Sequence, residues 1–127
     1  MVNNLLETYV VLGPDHAASR VDVTPSVFEE LDRRFENFRG RLLVARFDFT
    51  CDWPTWEIHP HGDEVVTLIS GAADMVLELP HGRDTLPLRK PGDFAIVPKG
   101  TWHTARISTP TSMLFVTPGE GTGNAVR

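Results

Sequence analysis

A short stretch of the sequence concentrates side chains that can bind a metal ion or move a proton. Residues 56–71 read WEIHPHGDEVVTLISG, so two histidines and three carboxylates lie within eight residues. Imidazole and carboxylate groups are common protein ligands of transition metal ions. The stretch is therefore the first candidate for a metal site, and its acids and histidines are also candidates for general acid–base chemistry.

The spacing of these residues predicts which of them share a face. Alternate residues of a β-strand point to the same side, so Glu57 and His59 can face inward together. The turn-forming residues 60–63 then reverse the chain. Glu64 opens the next strand and can come back to face the first pair.

A second stretch, GDFAIVPKGTWH at residues 92–103, places a histidine at the start of a predicted strand, directly after a tight turn. The two stretches together resemble the motifs of the cupin superfamily, G-x5-H-x-H-x3,4-E-x6-G and G-x5-P-x-G-x2-H-x3-N. Glu64 followed by Gly71 fits the end of the first motif. Ile107 replaces the final asparagine of the second, a change that we expect to be tolerated because this residue is not a metal ligand. The second motif otherwise keeps every spacing, with fixed positions at Gly92, Pro98, Gly100 and His103.

The first motif can be aligned in two ways. His59 and His61 give H-x-H but leave only two residues before Glu64, whereas Glu57 and His59 keep a gap of four residues and replace the first histidine by glutamate. We prefer the second alignment, because Pro60 would interrupt a strand that carried both histidines. His61 is then a loop residue at the mouth of the barrel.

The resemblance implies an all-β double-stranded β-helix, a jelly-roll-like barrel that holds a divalent transition metal ion. The implied ligands are Glu57, His59, Glu64 and His103. Two carboxylates and a divalent ion sum to zero charge, and oxygen-rich ligation shifts the preference from copper toward iron or manganese, with zinc or nickel as further possibilities. Without metal, the facing carboxylates would repel and one would hold a proton. If only three residues bind the ion, Glu57 or His61 is the candidate catalytic acid or base.

The elements that must position these residues are short strands bounded by glycine, proline and aspartate. Two strands at 7–12 and 20–23 and one amphipathic helix, beginning after Thr24 and ending by Gly40, are predicted to precede the barrel. Many short strands favour a barrel or sandwich. We expect one domain over 1–127, with the N-terminal elements in 1–40, the barrel in 41–118 and a flexible tail or lid in 119–127. The predicted barrel strands are 42–49, 55–59, 64–70, 72–79, 85–88, 93–97, 103–107 and 112–117.

Composition excludes several classes of function. The formal charge of -5 and the absence of a Lys/Arg cluster argue against a nucleic-acid partner. No apolar stretch approaches the roughly 20 residues of a membrane span. Residues 1–13 lack the pattern of a signal peptide and Cys51 is the only cysteine, so we expect a cytoplasmic location without an internal disulfide. Further expectations are that Cys51 is a packing residue and that His16 and His81 lie on the surface. Trp53, Trp56 and Trp102 could line a substrate pocket, but we expect them at barrel ends or subunit contacts.

Three functional hypotheses follow from the residues and the resemblance. The first is a metal-dependent enzyme that acts on a small organic molecule, an oxygenase or else an isomerase or lyase. The second is a non-enzymatic small-molecule-binding or sensor protein, and the third is a metal-free structural dimer. Small cupins pair through barrel strands, so the resemblance also implies a homodimer in which the N-terminal strands are exchanged across a two-fold axis.

Overall fold

The computed structural model describes all 127 residues and contains eleven strands and one helix. All strand pairs are antiparallel, and they form a six-stranded sheet in the order β2-β1-β3-β10-β5-β8 and a five-stranded sheet in the order β11-β4-β9-β6-β7. The predicted all-β double-stranded β-helix with one short N-terminal helix is confirmed. The elements are β1 Thr8–Leu12, β2 Ala18–Asp22, α1 Val27–Arg34, β3 Leu42–Phe49, β4 Thr55–Ile58, β5 Glu64–Ser70, β6 Ala73–Leu79, β7 Gly82–Leu88, β8 Phe94–Val97, β9 His103–Arg106, β10 Thr111–Thr117 and β11 Gly123–Val126.

The barrel core fills the space between the two sheets. Along β5 the buried residues alternate, beginning with Glu64 and continuing through Val66 and Leu68, as period-2 geometry requires. β10 crosses beside β5 and contributes Met113 and Phe115 to the same interior. Thirteen buried apolar residues, most of them on strands of the two sheets, form this core. The strands that carry the candidate site residues are therefore fixed by a shared apolar interior.

The N-terminal elements form a second, smaller core. Val27 and Leu31 of α1 are buried against Tyr9 and other residues of β1, β2 and β3. The helix ends at Arg34, earlier than predicted, because residues 36–38 adopt left-handed backbone conformations that turn the chain and bury Phe38. The one helix, with eight residues, is too short to span a membrane.

The C-terminal residues differ from the predicted flexible tail. Residues 123–126 form β11, which pairs with β4 over the register Gly123–Ile58 to Val126–Thr55. The glycines in this segment serve close packing: Gly121 has a positive φ of 67°, and a Cβ added to Gly123 would lie 3.0 Å from Ile58 Cγ2. Glycine content, which predicts an irregular segment, here allows a strand to lie close to the barrel.

Candidate metal centre

Side chains from both sheets meet at one place in the barrel interior. Glu57 of β4 pairs directly with His103 of β9, and His59 immediately follows β4. The ligand atoms of these three residues all lie within 4.8 Å of one another. Glu64 reaches them from β5 in the opposite sheet, with Oε2 3.3 Å from His59 Nε2 and Oε1 3.2 Å from His103 Nε2. The structure thus brings together all four residues predicted as metal ligands.

His61 lies outside this cluster. Its side chain is 54% exposed, and its Nε2 is 3.9 Å from Glu120 Oε2. β4 ends at Ile58 and Pro60 follows His59, so the chain has already left the strand when it reaches His61. Of the two possible pairs, the structure places Glu57 and His59 in the cluster.

The cluster is buried and its facing atoms lack hydrogen bonds. His103, Glu64 and His59 are 0%, 2% and 5% exposed. Nε2 of both histidines and Oε1 of Glu64 have no hydrogen-bond partner. Buried polar groups are nearly always paired, and leaving one unpaired costs about 1–3 kcal/mol. A cation held between these atoms would satisfy all three.

The second nitrogen of each histidine fixes its tautomer. Nδ1 of His103 lies 3.0 Å from the carbonyl oxygen of Thr101, which can only accept, so Nδ1 carries the hydrogen. The Thr122 hydroxyl donates its single hydrogen to the carbonyl of Gly119 at 2.8 Å, and its oxygen therefore accepts from Nδ1–H of His59 at 2.9 Å. In the neutral form, each ring then has its Nε2 lone pair free for a metal ion.

Glu64 is also held in position by a threonine. The hydroxyl of Thr117 donates to Glu64 Oε2 at 2.6 Å, inside the barrel. Thr117 and Thr122 were not among the predicted site residues. Alternation along β10 from the buried Phe115 could have indicated that Thr117 faces inward, whereas Thr122 precedes a strand that the sequence does not predict.

Burial and mutual charge set the pKa values in the cluster. Burial raises the pKa of Glu64, but His103 and His59 outweigh it, so the pKa is lowered to about 2. Burial and the nearby Glu64 raise the pKa of Glu57. Burial lowers the pKa of His103, but the Glu64 carboxylate reverses the shift and the pKa is raised. Without a metal ion, the negative charge of the cluster is therefore concentrated on Glu64, while Glu57 is the carboxyl that holds a proton more readily.

A cavity of about 1010 Å³ lies beside the cluster and is lined by Glu57, His59 and Glu64 among other residues. This volume lies at the upper end of the usual range for small-molecule pockets. One side of the cavity is an aromatic wall, in which neighbouring ring centroids are 5.3 to 6.3 Å apart. The wall consists of Phe47, Phe49, Trp53 and Phe115.

Two residues near the cavity differ from their predicted environments. Cys51 was expected to be a packing residue, but it is exposed, because it lies in the loop between β3 and β4. Trp53 was expected at a barrel end or a subunit contact, but it is buried in the barrel core, with its ring centroid 6.1 Å from that of His103. Its Nε1 is the fourth buried side-chain atom without a hydrogen-bond partner. His16 and His81 are exposed, as predicted.

Comparisons with known proteins agree with this architecture. No protein-family model matches the sequence, and no curated protein matches it. Among solved structures, an uncharacterized conserved protein with a double-stranded β-helix domain from Klebsiella pneumoniae subsp. pneumoniae MGH 78578 is 28% identical, with a TM-score of 0.54 over 68% of this chain and 76% of that chain. A cupin superfamily protein from Desulfitobacterium hafniense DCB-2 is 21% identical, with a TM-score of 0.50 over 60% and 65%.

Two kinds of enzyme share the fold at lower coverage. An oxalate oxidase is 20% identical, with a TM-score of 0.54 over 64% of this chain but only 44% of its own length. Bacillus subtilis oxalate decarboxylase, a protein with Mn(II) centres, is 19% identical, with a TM-score of 0.53 over 67% of this chain and 23% of its own. This chain therefore matches less than half of either enzyme. The comparisons confirm the cupin fold that the two motifs predict.

Proposed function

We propose that this chain, which has the cupin fold, binds one divalent transition metal ion and is a metal-dependent enzyme acting on a small organic molecule. The observation that carries the proposal is the set of three buried atoms that face one another without partners, Nε2 of His59, Nε2 of His103 and Oε1 of Glu64. The metal ligands would be Glu57, His59, Glu64 and His103.

The donor set fits such an ion. The tautomers fixed by the two Nδ1 contacts leave Nε2 of each neutral ring free, and Glu64 supplies a carboxylate donor that Thr117 holds in place. Two nitrogen and two carboxylate donors suit iron or manganese, with zinc or nickel as alternatives, and neutralise a divalent charge. Mn(II) centres in oxalate decarboxylase, which has the same fold, support this choice.

The residues around the ion would hold its ligand side chains in place and line the cavity in which a substrate binds. When bound, the metal would supply Lewis acidity or redox chemistry towards a molecule in the cavity. Thr122 and Thr117 hold His59 and Glu64, while the aromatic wall lines one side of the cavity. If only His59, Glu64 and His103 bind the ion, Glu57, whose side chain is 34% exposed, is the member of the cluster best placed to exchange a proton with a bound molecule. His61, the other predicted candidate, does not line the cavity.

The reaction class that we propose is an oxygenase, with an isomerase or lyase as the alternative. The oxalate enzymes share the fold and 19–20% identity with this chain, so their substrate is not carried over to it. A homodimer is the assembly that the cupin resemblance implies, and the cytoplasmic location is proposed from the residue pattern alone. Sedimentation of the purified protein at the monomer mass of 14.2 kDa would contradict the dimer.

Elemental analysis tests the metal site directly. Protein purified without added metal, and protein stripped and then titrated with Mn(II), Fe(II), Zn(II) or Ni(II), should bind about one equivalent of at least one of these ions. Less than about a tenth of an equivalent with every ion would contradict the proposal. Glu29→Gln, a charge change on the exposed face of α1, is the control for Glu64→Ala.

Turnover separates the enzyme from a binding or sensor protein. Once a ligand of the cavity is identified, the metal-loaded protein should convert it, and Glu64→Ala should lose that conversion together with the metal. A protein that binds the ligand without converting it, and whose Glu64→Ala variant keeps the affinity, would instead be a non-enzymatic binder.

A further inference from the structure

The residues that line the cavity carry an uneven set of charges. They include six aromatic side chains and five carboxylates but no lysine or arginine. His59 is the one further side chain that could carry a positive charge, and its Nε2 faces Glu64 at 3.3 Å. A carboxylate or phosphate group entering the cavity would therefore meet no cationic side chain to pair with.

Three of the five carboxylates already have a positive partner or would acquire one. Glu57 and Glu64 belong to the candidate metal centre, where a divalent ion would balance their two charges. Asp48 forms an ion pair with Arg46, with Oδ1 3.3 Å from Nε. The remaining two carboxylates decide the charge that a ligand meets.

Those two carboxylates are Asp32 and Asp52, and neither has a cationic partner. Oδ1 of Asp52 accepts from the backbone N–H of Ile107 at 2.6 Å, which leaves its second oxygen free. The Asp32 side chain on α1 forms no hydrogen bond or ion pair. Both residues are exposed at the rim of the cavity, so solvent screens them and each contributes modestly to ligand selection.

The aromatic wall also favours a positively charged ligand. Phe47 and Phe49 lie on one face of β3 and are held by Phe115, with ring centroids 5.3 and 6.1 Å from its own. Aromatic rings attract cations through their quadrupole and offer an apolar surface to the rest of a ligand. The rim carboxylates are complementary to a positively charged group, and the aromatic rings are complementary to an apolar body attached to it.

We infer that the cavity takes a small organic cation, a protonated amine attached to an apolar or aromatic body. The inference rests on the proposed function in treating the cavity as the substrate site, and it names the substrate class. It selects against small carboxylates, since a metal centre balanced by two glutamates has no spare positive charge for them.

Three probes of the same shape test this inference. Phenethylamine, 2-phenylethanol and 3-phenylpropanoate share a phenylethyl body and end in an ammonium, a hydroxyl and a carboxylate. Calorimetric titration into the Mn(II)-loaded protein should rank them in that order, with about tenfold between the first and the last. The same titrations with metal-stripped protein should keep the ranking, because Asp32 and Asp52 do not depend on the ion. The ranking can thus hold even if the metal proposal fails.

Two variants locate the origin of the preference. Asp32→Asn and Asp52→Asn should each weaken phenethylamine about twofold to fivefold and leave 2-phenylethanol unchanged. Asparagine at 52 keeps an oxygen for the N–H of Ile107, so that hydrogen bond is retained. Glu29→Gln removes the same charge from α1 away from the cavity and should change no affinity. A reversed or flat ranking, no saturable binding of any probe, or an equal loss in Glu29→Gln would overturn the inference.

Discussion

The inward-facing residues of β5 lie in two different environments of the barrel interior, the apolar core and the candidate metal centre. Glu64 and Leu68 are four residues apart on the same face, with exposures of 2% and 1%. Leu68 pairs with Met113 of β10 inside the apolar core. Glu64 instead faces His59 and His103 and has one oxygen without a hydrogen-bond partner. Equal burial therefore has opposite consequences, since it stabilises the fold at Leu68 and costs free energy at Glu64.

This difference indicates that one end of β5 serves the stability of the fold and the other end serves binding; we call this the division of β5. The apolar end can account for the stability of the barrel without any ligand, whereas the polar end leaves three buried atoms without partners until a cation binds there. If the division is correct, variants at one end should change unfolding free energy and variants at the other should change metal affinity. The predictions below are ordered by the size of the expected effect.

The largest effect is expected from Leu68→Ala. Loss of a fully buried leucine in a packed core costs about 2–5 kcal/mol of unfolding free energy, because apolar contact is lost and a cavity is left. Urea unfolding of the metal-stripped protein measures this cost. Bound metal, measured by elemental analysis on folded protein, should stay at the wild-type equivalent. Loss of the metal in a folded Leu68→Ala variant would show that the two ends of β5 are not separable.

Glu64→Gln should have the complementary effect. The amide keeps the shape of the side chain but removes the charged ligand, so metal affinity should fall about a hundredfold, or about 2.7 kcal/mol. Competition titration against a metal-binding dye measures the affinity, and the far-UV circular dichroism spectrum should remain that of the wild type. Unchanged affinity would remove Glu64 from the ligand set, with Glu29→Gln as the matched control.

The strands of the barrel were largely predictable because they are local patterns. β3 and β5 begin and end at the predicted residues, since alternating apolar residues and flanking turns mark them. β11 was missed because its pairing with β4 is a contact between distant parts of the chain, and its glycines resemble those of a loop. The early end of α1 was missed for a similar reason, because the burial of Phe38 depends on tertiary packing.

The sequence predicted the candidate ligand residues of the site but not the residues that hydrogen-bond to them. The cupin resemblance predicted Glu57, His59, Glu64 and His103 as ligands, and the structure brings these four side chains together. The groups that orient the histidines escaped prediction, because a threonine hydroxyl has no distinctive spacing and Thr122 reaches His59 only through the position of the unpredicted β11. The residue types of the candidate ligands can be read from short sequence motifs, whereas the contacts that orient their side chains depend on the assembled fold.

Thr122→Val tests the hydrogen bond that orients His59, and a smaller loss of metal affinity is expected. Valine has nearly the shape of threonine but cannot accept the hydrogen bond from Nδ1 of His59, so the ring loses the contact that fixes its tautomer. Loss of such an orienting contact typically reduces metal affinity about tenfold to a hundredfold, and the lower value is expected here because Thr122 is exposed. Thr122→Ser should restore the affinity in the same dye competition. If serine fails to restore it, the hydroxyl is not the orienting group.

The smallest effect is expected from His61→Asn, and it sharpens the comparison between the two alignments of the first motif. His61 is more than half exposed and its only charged neighbour is Glu120 at 3.9 Å, so its replacement should change metal affinity by less than about twofold. Glu57→Gln, by contrast, removes a carboxylate from the cluster and should weaken binding clearly more than His61→Asn does. The two variants measured side by side decide which residue completes the ligand set, because the alternative pairing of His59 with His61 requires the opposite order of effects.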